Sequence, residues 1–573
     1  MLSNQKRYVF ILVFIFIVGV IFITRLFQLQ VINNYKKGGS AGETLSASQM
    51  SKNERGEIFA ADNYLNLEQI SRSGEYKFSP WQLELTPLAM NMITYDLIAT
   101  PAEIIDSPVT VINKLSSHLK INPNLLRQDI LEETEESSRY KDLIAKLSNK
   151  NDLYEVLAKD INYEEAQQIK ALGISGLSFE EKYQRYYPQK DIFGQITGFL
   201  GWVKDERSGQ YGIEEYLDPV LKDGRSVVLS MSPSLQFFVN KILQERCQTY
   251  QVESGSVIVA DPNTGAILAL ANCPNFDPNE YSQASPSLFK NPVVNEAYEP
   301  GSVFKLITMS AGLEEGKITP ETSYVDTGEA KYGRKTIKNA LGKKYGLQTM
   351  TGVLENSINT GVIFVVNRLG ADLFKDTIKR FGFGEITNLE ISGEAKGDIS
   401  SLDKKGDTYL PTASFGQGIS ITPIQMVAAV SAIANGGKLF KPTILKYIQE
   451  TSDVAPVAVK PVLLKQVISP ETTTQLTKMM VSVTENGQAK AAQLNNFFVA
   501  GKTGTAEIAE EGSYTDKNNH SFVGFFPASK PQFVILVKFK NPKNGRFADS
   551  TAAPTFAEIG DFIAKQYNLK PEK

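Results

Sequence analysis

The chain has 573 residues, 42% hydrophobic and 21% charged, which is enough apolar material for two to four folded units of ordinary globular protein. A formal net charge of -3, and aromatics (10%) without basic interleaving, argue against a nucleic-acid partner. Two histidines, two cysteines and no C-x-x-C or H-E-x-x-H leave no zinc signature and few routes to a Ser-His-Asp triad.

Tyr8 to Ile23 (YVFILVFIFIVGVIFI) is apolar and free of charge. With Thr24 and the amphipathic RLFQLQ that follows, it is long enough to cross a bilayer, and no small-residue cleavage pattern comes after it. Residues 8–28 therefore read as an uncleaved anchor, with a cleaved secretory signal as the alternative. Lys6 and Arg7 precede it on a short tail, residues 1–7, which orients the N-terminus toward the cytoplasm. The reading is a single-pass cell-membrane protein whose body lies outside.

Residues 29–235 are mixed and polar, with no fixed-period repeat. QDILEETEESSRYKDLIAKL reads there as a solvated helix. SPSLQFFVNKILQERC, from Ser232, reads as a helix. GSVIVADPNTGAILALANCP is a hairpin, two β-rich runs around the turn residues DPNTG. Near the end, HSFVGFFP and QFVILVKFK are two further strands, and TFAEIGDFIAKQY has the spacing of a packed terminal helix. A sheet with strands from both ends of the segment and helices between implies one α+β domain over 236–573. His520, beside a strand, reads as structural. Whether Cys247 and Cys273, 26 positions apart, pair is left open: a body outside the cytoplasm permits a disulfide, the spacing does not favour one, and geometry decides.

Within that domain, EPGSVFK places Ser302 three residues before Lys305. The S-x-x-K spacing recurs from Ser3, Ser138, Ser287 and Ser401, so position must discriminate. Pro300-Gly301 suits a turn, and VFKLITMSAGL then runs at helical period, setting Ser302 on the first turn of a buried helix. Residues i and i+3 share a face, so the lysine reaches the hydroxyl. Apolar neighbours would desolvate Lys305 and favour its neutral, basic form. The helix start also offers backbone N–H groups to a developing oxyanion.

ENSINTG then supplies Ser357 and Asn359, and VAGKTGTAE supplies Lys502, Thr503, Gly504 and Thr505. The apolar FFVAG before this K-T-G suggests a strand able to pair with an extended peptide, with Gly504 permitting close approach. Phe304 and Phe415 read as core, and Gly416 to Gly418 as backbone geometry.

Together these three elements form the signature of penicillin-binding proteins and class A β-lactamases. The chain resembles a class B penicillin-binding protein, a monofunctional peptidoglycan D,D-transpeptidase. DPNTGAILALANCPNFDPN, YEPGSVFK, ENSINTG, ASFGQGISITPIQMVAAVSAIANGG, VAGKTGTAE and HSFVGFFPASKPQFVILV resemble the family's blocks in its order. RGEIF, RYYP and YGIEEYLD resemble its short pedestal motifs. Departures are LSMSPSLQ from Leu229, which blurs the domain junction, and GQAKAA from Gly487, in the loop before K-T-G.

The resemblance implies a transpeptidase domain of serine β-lactamase-like fold, a central antiparallel sheet flanked by helices, behind a mixed α/β pedestal. It implies Ser302 as nucleophile, Lys305 as base, Ser357 as proton relay and Asn359 as holder of substrate and Lys305. Lys502 would supply positive charge, and Thr503, Gly504 and Thr505 would bind substrate. The N–H groups of Ser302 and Thr505 would form the oxyanion hole. It implies no metal or organic cofactor. Implied partners are stem peptides, β-lactams, a polymerising glycosyltransferase and division-complex proteins. ASFGQGISITPIQ and HSFVGFFPASKP look division-type, with an elongation role as the alternative. A D,D-carboxypeptidase, a β-lactamase and a catalytically silent sensor or scaffold are the rival readings. No glutamate in an E-x-x-L-N context favours the lactamase.

Overall fold

A computed structural model of the chain describes residues 55–62, 85–121, 135–332, 335–449, 456–510 and 513–573. The apolar run read as an anchor lies outside these residues. Among the described residues, no helix is long and apolar enough to cross a membrane.

The N-terminal part is built on β1 (Ile58–Ala61), β2 (Leu85–Ala99), α1 (Glu135–Ser148), β3 (Glu155–Ile161), β4 (Leu177–Tyr186) and β5 (Ser226–Leu229). The charged stretch read as a helix supplies α1. β1 lies between β2 and β5, parallel to β5, while β3 and β4 both pair with β2. Two strands from far along the chain, Leu445–Gln449 and Val457–Ala458, extend the same seven-stranded sheet beyond β5. The three pedestal motifs meet at one carboxylate. The fully buried Glu214 carboxylate accepts from Arg55 Nε at 2.7 Å and Arg185 Nε at 2.8 Å. Two guanidinium groups on one carboxylate give the pairing that a charge removed from water requires.

The remainder begins with α2 (Pro233–Tyr250), started by a Pro in its first turn and by Ser232, whose side chain accepts from the Leu235 N–H. It continues through β6 (Ser254–Ala260), β7 (Ile267–Cys273), α3 (Lys305–Glu314), β8 (Ser323–Asp326), β9 (Gly346–Thr349), α4 (Asn359–Leu369) and α5 (Pro423–Ala434). It closes with α6 (Pro470–Glu485), β10 (Ala500–Glu510), β11 (Ser513–Phe526), β12 (Phe533–Lys540) and α7 (Ala552–Gln566). The early hairpin β6–β7 and the late strands share one sheet, as the sequence predicts, and its antiparallel order is β10-β11-β12-β6-β7. Helices cover it. Every residue of α5 is buried, and α2 stacks on α7 through Phe238 and Phe562, ring centroids 3.8 Å apart.

The cysteine pairing that the sequence leaves open is decided by the fold. Cys247, in the last turn of α2, and Cys273, at the end of β7, are joined in a disulfide, with Cα atoms 6.7 Å apart. α2 lies along β7, and that packing creates a proximity that a 26-residue spacing does not encode.

Candidate active site

Ser302 stands in a 3-10 turn, Gly301–Phe304, which runs directly into α3 at Lys305. The sequence predicts an α-helical first turn; the tighter turn has a useful consequence. At three residues per turn, i and i+3 are eclipsed, so the Ser302 and Lys305 side chains are aligned along the axis. Phe304 is buried and anchors the turn from the other side.

Glycines set the turn's position. The Gly301 N–H donates to Gly416 O at 3.1 Å. Gly416 has φ +78, and a Cβ there would lie 2.3 Å from Gly301 O. The G-Q-G segment is therefore a backbone cradle under the nucleophile turn. On its other side, a Cβ on Gly504 would meet Ser521 Oγ at 2.5 Å and Val303 Cγ1 at 3.0 Å. Glycine at 504 thus lets β10 lie against the turn. Thr505 O and Ala506 line the same contact with Gly301.

Lys305 is fully buried. Its Nζ donates to Ser357 O at 2.6 Å and Asn359 Oδ1 at 2.8 Å, with Ser357 Oγ at 3.2 Å. A neutral amine has two N–H donors and one lone pair. Two carbonyl-type acceptors use the donors and leave the lone pair for a hydroxyl proton. The protonation state agrees: burial first, and then the charge of Lys502, hold Lys305 well below the ordinary lysine range. Lys502, also fully buried, is lowered by burial to about 7, and its Nζ donates to Thr503 O at 3.1 Å.

Ser357 has φ +54, a left-handed conformation uncommon for a side chain of its kind, in the tight loop that opens α4. That loop is braced by the segment after α6, where Gln488 N–H donates to Glu355 O at 3.0 Å. Asn359 is the first residue of α4, and its Nδ2 donates to Lys338 O at 3.0 Å. β10 is the edge strand of its sheet, with one strand neighbour among the described residues. His520, paired opposite Thr505, is buried and lowered by burial to about 4; its Nδ1 lies 3.0 Å from Thr551 Oγ1. It is a neutral structural residue behind the strand.

All three predicted segments thus converge. Ser302 is half-buried on the turn, Lys305 binds the Ser357–Asn359 loop, and Thr503 to Thr505 run along the turn's flank. Two groups escape sequence reasoning. Glu299 accepts from Gly418 N–H at 3.0 Å and Tyr514 O–H at 3.1 Å, tying the β10–β11 hairpin to the nucleophile turn, and burial raises its carboxyl. Asp326 and Asn339 form a buried polar cluster behind Asn359. Glu299 belongs to the quoted motif without an assigned role, and no local pattern marks Asp326 or Asn339.

The family model described as penicillin binding protein transpeptidase domain matches residues 255–561, which contain all these segments. The chain belongs to the penicillin-binding protein transpeptidase family. The penicillin-binding protein dimerisation domain matches residues 84–229 ahead of it. Stage V sporulation protein D of Bacillus subtilis is 31% identical over 603 residues, covering 99% of this chain and 87% of that protein. Peptidoglycan D,D-transpeptidase FtsI of Escherichia coli K12 is 28% identical, covering 73% of each. The crystal structure of penicillin-binding protein 3 from Mycobacterium tuberculosis complexed with aztreonam superposes with TM-score 0.64 at 28% identity, over 69% of this chain and 92% of that one. Penicillin-binding protein 2X of Streptococcus thermophilus, 22% identical, shares the fold over 90% of this chain and 80% of its own, with TM-score 0.73. The class B resemblance read from the motifs is borne out.

Proposed function

We propose that the chain is a peptidoglycan D,D-transpeptidase of septal wall synthesis, working through a serine acyl-enzyme and acylated by β-lactams. The observation that carries this is the buried Lys305 amine, three residues after Ser302 where its turn enters the helix, and hydrogen-bonded to both Ser357 and Asn359. In this reading Ser302 Oγ attacks the carbonyl of the penultimate D-Ala, and its proton passes to the Lys305 lone pair. The N–H groups of Ser302 and Thr505 receive the oxyanion, as the contact of β10 with Gly301 supports. The terminal D-Ala leaves with a proton relayed through Ser357, forming the ester. Its carboxylate is held by Lys502 and the Thr503 and Thr505 hydroxyls. An acceptor amine then attacks the ester, forms the cross-linking amide and returns a proton to Ser302. The edge of β10 suits pairing with an extended stem peptide, while Gly504 lets that strand lie against the nucleophile turn.

In this reading residues 1–7 are cytoplasmic and 8–28 anchor the chain in the cell membrane. The pedestal, 29–235, and the catalytic domain, 236–573, are extracytoplasmic, where a polymerising glycosyltransferase and division-complex proteins would be met. The near-complete alignment with a relative named for stage V of sporulation favours one second reading, that the wall made is that of a developing spore.

Incubation of purified protein with a fluorescent penicillin tests the function. The expected result is a long-lived adduct on Ser302, absent from a folded Ser302→Ala variant. Rapid hydrolysis of the drug would replace the transpeptidase by a lactamase, and labelling that survives Ser302→Ala would remove Ser302 from the chemistry.

A further inference from the structure

We infer that Asp326 and Asn339, neither of which touches the reacting atoms, are positioning residues that orient the Asn359 amide toward Lys305. The inference rests on the transpeptidase reading above. An amide side chain is nearly symmetric in shape, and rotation by half a turn would exchange its oxygen and nitrogen. With Nδ2 turned toward the base, donor would face donor, and the Lys305 lone pair would be drawn into a hydrogen bond and lost to Ser302. Something must hold the amide the right way round.

Two adjacent residues grip two adjacent residues. Lys338 O accepts from Asn359 Nδ2 at 3.0 Å, so Oδ1 is left facing Lys305 Nζ at 2.8 Å. The next residue, Asn339, accepts with Oδ1 from the Thr360 N–H at 3.1 Å, and Thr360 Oγ1 lies 3.2 Å from the same oxygen. The 338–339 segment is thereby fixed against the start of α4, and Asn339 itself must be held in one orientation for this to work.

Asp326, at the end of β8, does that. Both its carboxylate oxygens accept from Asn339 Nδ2 at 3.0 Å, which leaves Asn339 Oδ1 for Thr360. Asp326 also accepts from Thr360 Oγ1 at 2.5 Å, Gly328 N–H at 3.0 Å and Tyr345 N–H at 2.8 Å. Asp326, Asn339 and Thr360 are all buried. Such a network is costly to break, because each partner lost leaves an unsatisfied group away from water. Burial alone would raise the Asp326 carboxyl; these donors outweigh it and keep the acid lowered, hence charged. The orientation of Asn359 is therefore set by a carboxylate two hydrogen bonds behind it.

The test uses the full chain and a fluorescent penicillin in stopped flow, resolving the pre-covalent dissociation constant from the acylation rate constant. Asp326→Asn, which loses the charge and turns a donor toward Asn339, is expected to cut the acylation rate constant about 10- to 100-fold, the scale of a misplaced catalytic group. The pre-covalent constant should change by less than about two-fold, since a positioning defect leaves uniform binding intact. Thr360→Val keeps a β-branched shape, removes the bridging hydroxyl and should show a smaller loss of the same kind; it decides the matter if Asp326→Asn does not fold. Acylation at the parent rate, or a loss confined to pre-covalent binding, would overturn the inference. A parent protein that fails to label at Ser302 would instead sink the transpeptidase reading itself.

Discussion

The Lys305 amine lies 2.6 Å from the backbone carbonyl of Ser357, a residue 52 positions away. That contact fixes the amine between two segments and, with Asn359 Oδ1, uses both donors of its neutral form. Burial beside Lys502 disfavours the ammonium. The site therefore holds two lysines with opposite requirements: one must be uncharged to take a proton, the other charged to hold a carboxylate.

The pH dependence of penicillin acylation follows from this pair. The second-order constant reports the free enzyme. It should rise with pH through the depressed Lys305 titration as the base loses its proton. It should fall again as Lys502 loses its charge at about 7. Lys502→Arg keeps a cation at every accessible pH, so the alkaline limb should disappear while the acid limb stays. Stopped-flow acylation from acid to alkaline pH measures this, and an unchanged alkaline limb in the variant would detach it from Lys502.

Gly416 and Gly436 separate backbone strain from collision. Both have positive φ, +78 and +85, but a Cβ on Gly416 meets Gly301 O at 2.3 Å, whereas nothing lies within 4 Å of one on Gly436. Gly436→Ala should lower stability by about 1 kcal/mol, the cost of the left-handed conformation, and leave acylation unchanged. Gly416→Ala should cost about 1–3 kcal/mol more and slow acylation at least about ten-fold, because it displaces the nucleophile turn. Urea denaturation and labelling rates, measured on the same samples, check both.

The Cys247–Cys273 bond closes a loop across 26 positions. Reduction, or Cys247→Ala with Cys273→Ala, should lower unfolding stability by about 3.5 kcal/mol in the chain-entropy description. Penicillin labelling of the folded protein should persist, because β7 is the edge strand opposite β10 in the sheet. Loss of labelling from still-folded protein would contradict this separation.

What the sequence by itself determined were the local elements and the chemical inventory. Turn residues between β-rich runs placed β6–β7, helical period placed α2 and α7, and Pro-Gly before an apolar helix marked the turn of Ser302. The three short motifs named the reacting groups because their chemistry restricts residue type at fixed short spacing. The tertiary structure alone decided the long-range contacts that no motif or strand pattern marks. It recruited Leu445–Gln449 into the N-terminal sheet, joined two cysteines, tightened the Ser302 turn and set Asp326 and Asn339 behind Asn359. Periodicity and turn chemistry act over a few residues, whereas a buried hydrogen bond depends on how whole elements pack, and no short stretch of chain contains that information.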